Sequence, residues 1–297
     1  MKYVITGAAG NISKPLAEKL LKAGHDVTVI SRHEKNIQSL ISLGAHAAIG
    51  SVEDTDFLTK TFTGADAVYT MVPPHFGATD WKGYIGQIGK NFAAALKNST
   101  VKYVVNLSSV GAHLPEGAGP VSGLYRAEQA LNELTNLSIK HLRPVYFYTN
   151  LLASIPMVKH MKIIGSNFGG PEFTMVLTHP DDIAEVAFEE LSRLDFTGHS
   201  YRYIASDERP TSEIASVLGN AIGQPELPWI TFTDEDSLNG MMQAGLPEEI
   251  ARNYTEMGHS IQSGLFMEDY LKNRPAQFGK TKLDNFALQF AAVYQAG

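Results

Sequence analysis

The chain has 297 residues, of which 44% are hydrophobic and 19% are charged, and its formal net charge is -7. Such a length supports one large or two modest domains with a sizeable core, and the near-average composition argues against long disordered segments. The acidic balance, with Lys and Arg scattered, argues against a nucleic-acid-binding protein, which needs a basic face. The absence of cysteine excludes disulfides, cysteine-ligated zinc, iron–sulfur clusters and thiol nucleophiles.

The sequence also predicts neither a membrane segment nor a metal site. Residues 1–7 lack the apolar run of a signal peptide, and Pro156, Lys159, His160 and Lys162 interrupt the most apolar stretch. No two of the ten histidines have the spacing of a helical metal site. We therefore expect a cytoplasmic protein that binds no metal, no nucleic acid and no membrane.

Residues 1–150 alternate short β-branched runs with helical patterns, which is typical of a parallel α/β sheet. The first predicted helix carries Ile12, Leu16 and Leu20 on one face, with Pro15 in its first turn and Gly24 after its end. Because successive strand–helix–strand units need right-handed crossovers, the sequence predicts a Rossmann-type, doubly wound sheet. The other predicted elements are strands at 3–6, 26–31, 45–49, 67–71, 103–108 and 139–144, and helices at 36–43, 55–62, 84–97 and 124–137.

After residue 150 the pattern becomes mostly helical, and we predict a smaller substrate-binding lobe over residues 151–297. Asp181 and Asp182 open a predicted helix at 181–194, which we expect to return to the first domain. A C-terminal stripe of Phe286, Phe290, Val293 and Tyr294 favours core packing or the face of a homodimer. The remaining predictions are a strand at 201–205, a helix at 212–222, and a mostly helical stretch at 241–262 with a turn at 245–247.

The turn after the first strand has the composition of a phosphate-binding loop. Gly7 permits a tight turn, and Gly10 allows the backbone to approach a pyrophosphate closely. Asn11 and Ile12 then lead into a helix whose N-terminal N–H groups attract anions. Although glycine also suits a purely structural turn, its place after the first strand of an α/β pattern favours nucleotide binding.

The residue that follows the second strand indicates which dinucleotide is bound. An NAD site usually has a carboxylate there for the ribose hydroxyls, whereas this chain has Arg32. A guanidinium can pair with a 2′-phosphate and stack on adenine, so we predict NADP(H) rather than NAD(H). The alternative is that Arg32 is an ordinary solvated loop residue.

In the order and spacing of its motifs, the sequence resembles the NmrA-like family of atypical short-chain dehydrogenases/reductases. The closest branch is that of the NADPH-dependent quinone and triphenylmethane-dye reductases. The motifs that carry the resemblance cover nearly the whole chain: residues 4–10, 29–32, 66–68, 72–74, 105–109, 142–144 with Phe147 and Asn150, 179–184, 243–247 and 273–275.

The resemblance implies a cleft between a Rossmann domain and a C-terminal lobe, and it assigns roles to individual residues. The pyrophosphate would lie against Gly7, Gly10, Asn11 and Ile12, with Arg32 at the 2′-phosphate. Met71, Val72 and Pro73 would flank the adenosine, and the nicotinamide side would be formed by Leu107, Ser108, Pro144 and Tyr146. The substrate would meet Pro74, Phe76, Phe147 and Asn150. Alternatively, Ser108 caps a loop and Phe147 belongs to the core.

One missing residue limits the reactions that the sequence allows. Ordinary short-chain dehydrogenases activate a tyrosine by a lysine four residues later, but here Tyr125 is followed at that distance by Gln129. Tyr125, a weak catalytic candidate, would therefore be a poor base at neutral pH. An acceptor that stabilises negative charge itself needs no such base, because it can take its proton from water.

Two functions therefore remain open. The first is an NADPH-dependent reductase of a small quinone-like or conjugated aromatic or carbonyl acceptor. The second is a non-catalytic NADP(H)-binding redox sensor that regulates a partner, which the missing lysine also allows. Epimerisation or reduction of a sugar nucleotide is less favoured without a Tyr–Lys pair.

Overall fold

The computed structural model describes residues 1–171 and 173–296. Its first part alternates strands and helices: β1 (Lys2–Ile5), α1 (Ser13–Lys22), β2 (Asp26–Ser31), α2 (Gln38–Ser42), β3 (His46–Ile49), α3 (Thr55–Phe62), β4 (Ala67–Thr70), α4 (Trp81–Lys97), β5 (Tyr103–Leu107), α5 (Pro120–Asn132) and β6 (Ser138–Pro144). Shorter elements follow: β7 (Tyr146–Phe147), α6 (Ile155–Met161), β8 (Ile164–Ser166), β9 (Thr174–Thr178), α7 (Pro180–Arg193), β10 (His199–Ile204), β11 (Asp207–Pro210), α8 (Thr211–Ala221), β12 (Trp229–Thr231), α9 (Asp234–Gln243), α10 (Glu248–Gln262), α11 (Glu268–Lys272) and α12 (Leu283–Ala296).

Seven parallel strands form the central sheet, in the order β3-β2-β1-β4-β5-β6-β10. The strand order reverses between β1 and β4, and such a reversal opens a crevice at the carboxyl ends of the strands. The predicted α/β class and doubly wound sheet are confirmed. β10 joins this sheet and α7 packs on α1, so residues 180–204 lie with the first part of the chain, as expected for the helix at 181–194. The domain boundary at residue 150 stays a prediction.

Apolar side chains attach the helices to both faces of the sheet. On one face Leu16 and Leu20 of α1 pack with Ile183 of α7, and on the other Phe92 of α4 packs with Leu131 of α5. Burial of these helix stripes is the main force that holds the three layers together, at roughly 25 cal/mol per Å² of apolar surface.

Two helix boundaries differ from the predicted ones for local reasons. α4 begins three residues early, at Trp81, because the Asp80 carboxylate caps it by accepting a backbone N–H at 2.8 Å. α5 begins at Pro120 and ends before Leu134 and Leu137, which are buried as the chain turns into β6. Their three-residue spacing imitates the helical pattern.

The C-terminal part is mostly helical, as predicted, but it also contains small sheets that the sequence did not reveal. β11, β9 and β7 form one, and β12 pairs with β8 in another. The predicted helical stretch at 241–262 is two helices, α9 and α10, separated by a turn at Gly245, whose φ is +90°. α9 has no buried residue.

The C-terminal aromatic stripe is largely core. Phe286 and Phe290 of α12 are buried, and Phe286 stacks on Tyr148 with ring centroids 5.1 Å apart. Val293 is exposed and Tyr294 half-buried. The predicted homodimer stays a prediction.

Asp182, in the first turn of α7, does more than complement the helix dipole. Its carboxylate accepts hydrogen bonds from the Ser206 hydroxyl at 2.6 Å and from the backbone N–H groups of Lys280 at 3.2 Å and Thr281 at 3.0 Å. Asp182 therefore attaches the segment before α12 to the start of α7.

No helix in the described part of the chain is long and apolar enough to span a bilayer.

Candidate functional site

The turn between β1 and α1 has the geometry that the glycine pattern predicts. Gly7 has φ +64°, and a Cβ atom on it would overlap the Met71 sulfur, so no other residue fits without strain. The Gly10 N–H donates to the Gly7 carbonyl at 2.9 Å, which closes the turn. Thr6 attaches it to the end of β4, because its hydroxyl accepts from the Met71 N–H at 2.8 Å.

The start of α1 offers backbone donors to an anion. The N–H groups of Asn11, Ile12 and Ser13 have no acceptor among residues 1–171 and 173–296, and the first turn of α1 contains no acidic side chain. The positive end of the helix dipole adds to their attraction for phosphate. Ser13, at the place of a third glycine, is small enough to be buried against the sheet.

Arg32 directly follows β2, so it lies at the same edge of the sheet as the glycine turn after β1, and its side chain is exposed. It lies near α4: burial and Glu53 raise the pKa of Tyr84 to about 12, and the positive charge of Arg32 opposes this rise. The half-buried residues Met71 and Val72 follow β4 directly, and Pro73 comes next. Arg32 and these three residues therefore border the crevice on the side of the predicted adenosine.

Leu107 and Ser108 lie at the carboxyl end of β5, both buried. The Ser108 N–H donates to the Leu142 carbonyl at 2.7 Å, while its hydroxyl oxygen has no partner among the described residues. Pro144 ends β6 and accepts from the Val110 N–H at 2.9 Å, and Tyr146 follows in β7. An unpaired buried hydroxyl is a group that a bound polar ligand can satisfy.

The structure thus places the predicted cofactor residues at the carboxyl ends of five strands, β1, β2, β4, β5 and β6, and in the residues that follow them. In a parallel sheet all these ends lie on one edge, as the doubly wound topology requires.

The four predicted substrate residues come from two different segments. Pro74 and Phe76 are exposed in the loop before α4, where the Phe76 ring lies 5.8 Å from that of Trp81. Phe147 is half-buried and packs against the apolar core beneath α1 and α7, and Asn150 is exposed in the 3-10 turn after β7. A role in substrate binding stays a prediction for all four residues.

An apolar cavity of about 40 Å³ adjoins Tyr146. Four of its lining side chains are aromatic, and the thioether side chains of Met175 and Met267 complete much of the wall. The Tyr146 and Phe168 rings meet edge to face at 5.9 Å. The lining residues are Val110, Tyr146, Phe168, Phe173, Thr174, Met175, Val176, Ile261, Phe266 and Met267. At about 40 Å³ the cavity holds little more than one water molecule (about 30 Å³), so a ring would fit only if adaptable side chains such as Met175 and Met267 moved.

The tyrosines near this cavity are protonated at neutral pH. Burial raises the pKa of both Tyr146 and Tyr148 above that of free tyrosine. Tyr125 is half-buried in α5, and Gln129, one turn later, is exposed. The residue four positions after Tyr125 is therefore not a cation, and it cannot activate the tyrosine.

Sequence reasoning missed a line of polar side chains that crosses three neighbouring strands behind the crevice. The Thr70 hydroxyl donates to Asn106 at 2.8 Å, the Asn106 amide donates to His141 Nδ1 at 3.0 Å, and His141 Nε2 donates to Asn132 of α5 at 3.0 Å. Thr70, Asn106 and His141 are direct register partners in β4, β5 and β6. Burial lowers the pKa of His141 to about 4, so the ring is neutral.

A second group that the sequence did not reveal surrounds Arg143, next to Pro144. Its guanidinium binds the buried Glu128 of α5 through two bonds, of 3.0 and 2.6 Å, and Asp269 of α11 at 3.1 Å. Burial alone would lower the pKa of Arg143, but the bonds to Glu128 outweigh it and raise it. Asn106 stands out as a polar residue in the otherwise apolar β5, but nothing marks His141 or Arg143, because β6 also contains Ser138 and Lys140.

Comparison with known proteins agrees with this geometry. Residues 7–144 match a protein family described as NAD(P)H-binding. A Schizosaccharomyces pombe protein of uncharacterised function is 25% identical over 262 residues, which cover 80% of this chain and 85% of the yeast protein.

Solved structures show the same fold over nearly the whole chain. The NADPH-dependent quinone oxidoreductase of Escherichia coli, complexed with NADPH, has a TM-score of 0.81 at 20% identity, covering 97% of this chain and 99% of that one. The NADP(H) complex of Citrobacter sp. triphenylmethane reductase has a TM-score of 0.79 at 19% identity, with the same coverage. The chain therefore has the fold of these two reductases over nearly its whole length, as the resemblance to the NmrA-like family implies.

Proposed function

We propose that the chain is an NADPH-dependent reductase whose substrate is a small quinone-like or conjugated aromatic or carbonyl compound. When bound, NADPH supplies a hydride. The observation that carries the proposal is the chemistry of the walls beside Tyr146, which are apolar and rich in aromatic side chains and adjoin the residues predicted to meet the nicotinamide; the cavity between them must widen to admit a ring. Such walls bind a flat apolar ring by burying its surface and excluding water.

The chain's own groups would bind and orient rather than remove protons. The hydroxyl protons of Tyr146 and Tyr148 stay in place at neutral pH, because burial raises the pKa of each group. An acceptor that already withdraws electrons fits this environment better than an alcohol, whose oxidation needs a base. Holding the two reactants in contact supplies the remaining rate enhancement.

The preference for NADP(H) over NAD(H) belongs to the same proposal. Gly7, Gly10 and the start of α1 would hold the pyrophosphate through backbone N–H groups. Arg32 is an exposed guanidinium at the end of β2, where an NAD site has a carboxylate. It would pair with the 2′-phosphate.

A direct test mixes the purified chain with NADPH and a panel of benzoquinones, naphthoquinones and triphenylmethane dyes, and follows nicotinamide absorbance. We expect oxidation of NADPH that depends on the acceptor and saturates with it. A matched experiment uses Phe173→Ala, which should raise KM for the acceptor and leave the Kd for NADPH unchanged. Tight binding of NADPH with no consumption by any acceptor would contradict the proposed activity.

The second candidate, a non-catalytic NADP(H) sensor, is favoured by Gln129 in place of an activating lysine. It predicts that the chain distinguishes NADP from NADPH in binding but turns over neither. Calorimetry with the two cofactors, run beside the absorbance assay, separates the two functions.

A further inference from the structure

Helix α10 connects the two ends of the predicted site. Ile250, Tyr254 and Ile261 lie on one face of this helix, at spacings of four and seven residues. Ile250 packs in an apolar cluster with Trp81, at the start of α4, and Ile261 lines the cavity beside Tyr146. Tyr254 therefore lies between the loop that is predicted to meet the substrate and the residues that are predicted to meet the nicotinamide.

One side of α10 is attached to the first turn of α4. A carboxylate oxygen of Glu249, in the first turn of α10, accepts the Trp81 backbone N–H at 3.0 Å. The Tyr254 ring meets the Trp81 ring edge to face, with centroids 5.3 Å apart, and the Trp81 ring lies 5.8 Å from that of Phe76. These three rings form an aromatic row that begins in the loop before α4 and ends on α10.

The other side of α10 is attached to the segment that packs on Tyr146. The Asn167 amide donates to the Thr255 carbonyl at 2.9 Å. Phe168 follows Asn167 in the chain, and its ring meets the Tyr146 ring at 5.9 Å. Because Thr255 adjoins Tyr254, these contacts fix the position of Tyr254 relative to Tyr146.

The hydroxyl groups of Tyr146 and Tyr254 are available as donors. Both side chains are half-buried, and neither hydroxyl forms a hydrogen bond within residues 1–171 and 173–296. Burial raises the pKa of Tyr254, and it also raises that of Tyr146, to which the nearby Tyr254 adds a further rise. Both groups therefore keep their protons at neutral pH and can donate hydrogen bonds without losing them.

We propose that the hydroxyls of Tyr146 and Tyr254 together bind the oxygen atom on which a quinone-like or carbonyl acceptor collects negative charge during its reduction. This inference rests on the proposed function and names the groups that hold the acceptor. Hydrogen bonds to a charged oxygen are stronger than those to a neutral carbonyl, so the pair stabilises the transition state more than the bound acceptor.

The step balances without a base. The acceptor gains a hydride, with both electrons of the C–H bond that breaks in NADPH, and it is reduced as NADPH is oxidised to NADP⁺. The electrons displaced from the acceptor's double bonds move to its oxygen, where the two hydroxyls stabilise the charge. A proton from water then neutralises this oxygen, so Tyr146 and Tyr254 end the reaction as they began it.

The first experiment compares two substitutions that each remove one hydroxyl and keep the ring. Tyr254→Phe should lower kcat for a naphthoquinone about 10- to 100-fold and leave the Kd for NADPH unchanged, because it removes one of two donors to the developing charge. Tyr103→Phe is the matched control, since Tyr103 begins β5 and so lies at the opposite edge of the sheet. It should leave both quantities unchanged.

A second experiment needs no turnover. The chain saturated with NADP⁺ is titrated with 4-nitrophenol, whose anion carries the charged oxygen of the reduced acceptor and absorbs at longer wavelength than the neutral phenol. Two donors favour the anion, so the bound probe should ionise at lower pH than the free probe. This preference for the anion should fall about tenfold in Tyr254→Phe and stay at the wild-type value in Tyr103→Phe. A residue that only packs against the probe would not change the preference.

Three results would overturn the inference. They are equal kcat values in Tyr254→Phe and Tyr103→Phe, an unchanged preference for the anion in Tyr254→Phe, and no binding of 4-nitrophenol to the wild-type chain. If the wild-type chain oxidises NADPH with no acceptor, the proposed reductase activity fails instead. The 4-nitrophenol titration then decides by itself whether the two hydroxyls bind an oxyanion.

Discussion

The two halves of the central sheet are held by different interactions. In the half formed by β3, β2, β1 and β4, the helices attach mainly through apolar side chains such as Leu16, Leu20 and Leu58. In the half formed by β5, β6 and β10, polar groups are buried in addition: the pair Glu128–Arg143 and the line through Asn106 and His141. The dinucleotide crevice opens between β1 and β4, within the first half, and the residues predicted to meet the nicotinamide follow β5 and β6 of the second.

The difference shows how each half responds to change. Apolar contacts are non-directional and tolerate volume-conserving substitutions, whereas a buried polar group that loses its partner costs free energy at once. We therefore expect stability to depend most on charge and pH in the β5–β6–β10 half, and cofactor affinity to depend most on backbone shape in the other half.

Removing Glu128 should have the largest effect. Glu128→Ala leaves the Arg143 guanidinium, which is 7% exposed, without its bidentate partner. We expect the free energy of unfolding to fall by about 3–5 kcal/mol in urea denaturation. Glu133→Ala, which removes an exposed carboxylate at the end of the same helix, should change it by about 0.5 kcal/mol or less. Equal effects of the two substitutions would contradict the assignment of the Arg143 pair to the stability of this half.

Acid should destabilise the same half through His141. Its pKa is about 4 when folded and about 6.5 in the unfolded chain, so between these values only the unfolded chain gains the proton. Stability from this group is complete above pH 6.5 and decreases by about 3 kcal/mol as pH falls to 4.

Urea denaturation between pH 7 and pH 4 measures this loss. His141→Gln should lower the slope of stability against pH by up to about 1.4 kcal/mol per pH unit in that window, whereas His33→Gln, at an exposed site, should leave it unchanged. An unchanged slope in His141→Gln would show that the buried ring is not the titrating group.

A substitution at Gly7 should test the other half. Gly7→Ala combines a positive φ with a clash against Met71, which forces the turn to rearrange. We expect the affinity for NADPH to fall about 10- to 100-fold, since strain of this kind is worth about 1–3 kcal/mol. Gly24→Ala is the control, because Gly24 has φ +80° with open space around it, and only stability should decrease. Loss of affinity in both variants would mean that general destabilisation is the cause.

The smallest effect should come from Arg32. Arg32→Ala should weaken NADPH binding about tenfold, because one exposed charged contact is worth about 1.5 kcal/mol, and leave NADH binding unchanged. Lys35→Ala, three residues later, serves as a matched loss of charge. Calorimetry with both cofactors measures the ratio, and equal losses for NADPH and NADH would remove Arg32 from 2′-phosphate recognition.

The regular part of the fold was predictable to a residue or two. β2 and α3 have their predicted bounds, and the other strands of the first 150 residues start or end within a residue or two of the predicted positions. α5 lies closer to the N-terminus than the helix predicted at 124–137, because Leu134 and Leu137 continue the helical spacing of apolar residues into a turn. β7, β8, β9, β11 and β12 were missed, since strands of two to five residues are too short to show a period.

The sequence could predict that the candidate cofactor residues share one edge of the sheet, because each of them follows a strand of the same parallel sheet; that they bind the cofactor stays a prediction. The line of polar side chains behind this edge could not be predicted from the sequence. Asn106 and His141 lie in different strands, and only the register of β5 against β6 makes them neighbours. Likewise, nothing near Asp182 in sequence indicates that it binds the backbone at Lys280 and Thr281.

By itself, the amino-acid sequence determined the α/β alternation, the glycine turn after β1 and the guanidinium after β2, because periodicity, φ preference and side-chain charge are local properties. The tertiary structure decided that β10 returns to the edge of the first sheet, that Glu128 meets Arg143, and that an apolar cavity forms beside Tyr146. These features depend on contacts between residues far apart in the chain, which follow from the packing of layers rather than from any short segment.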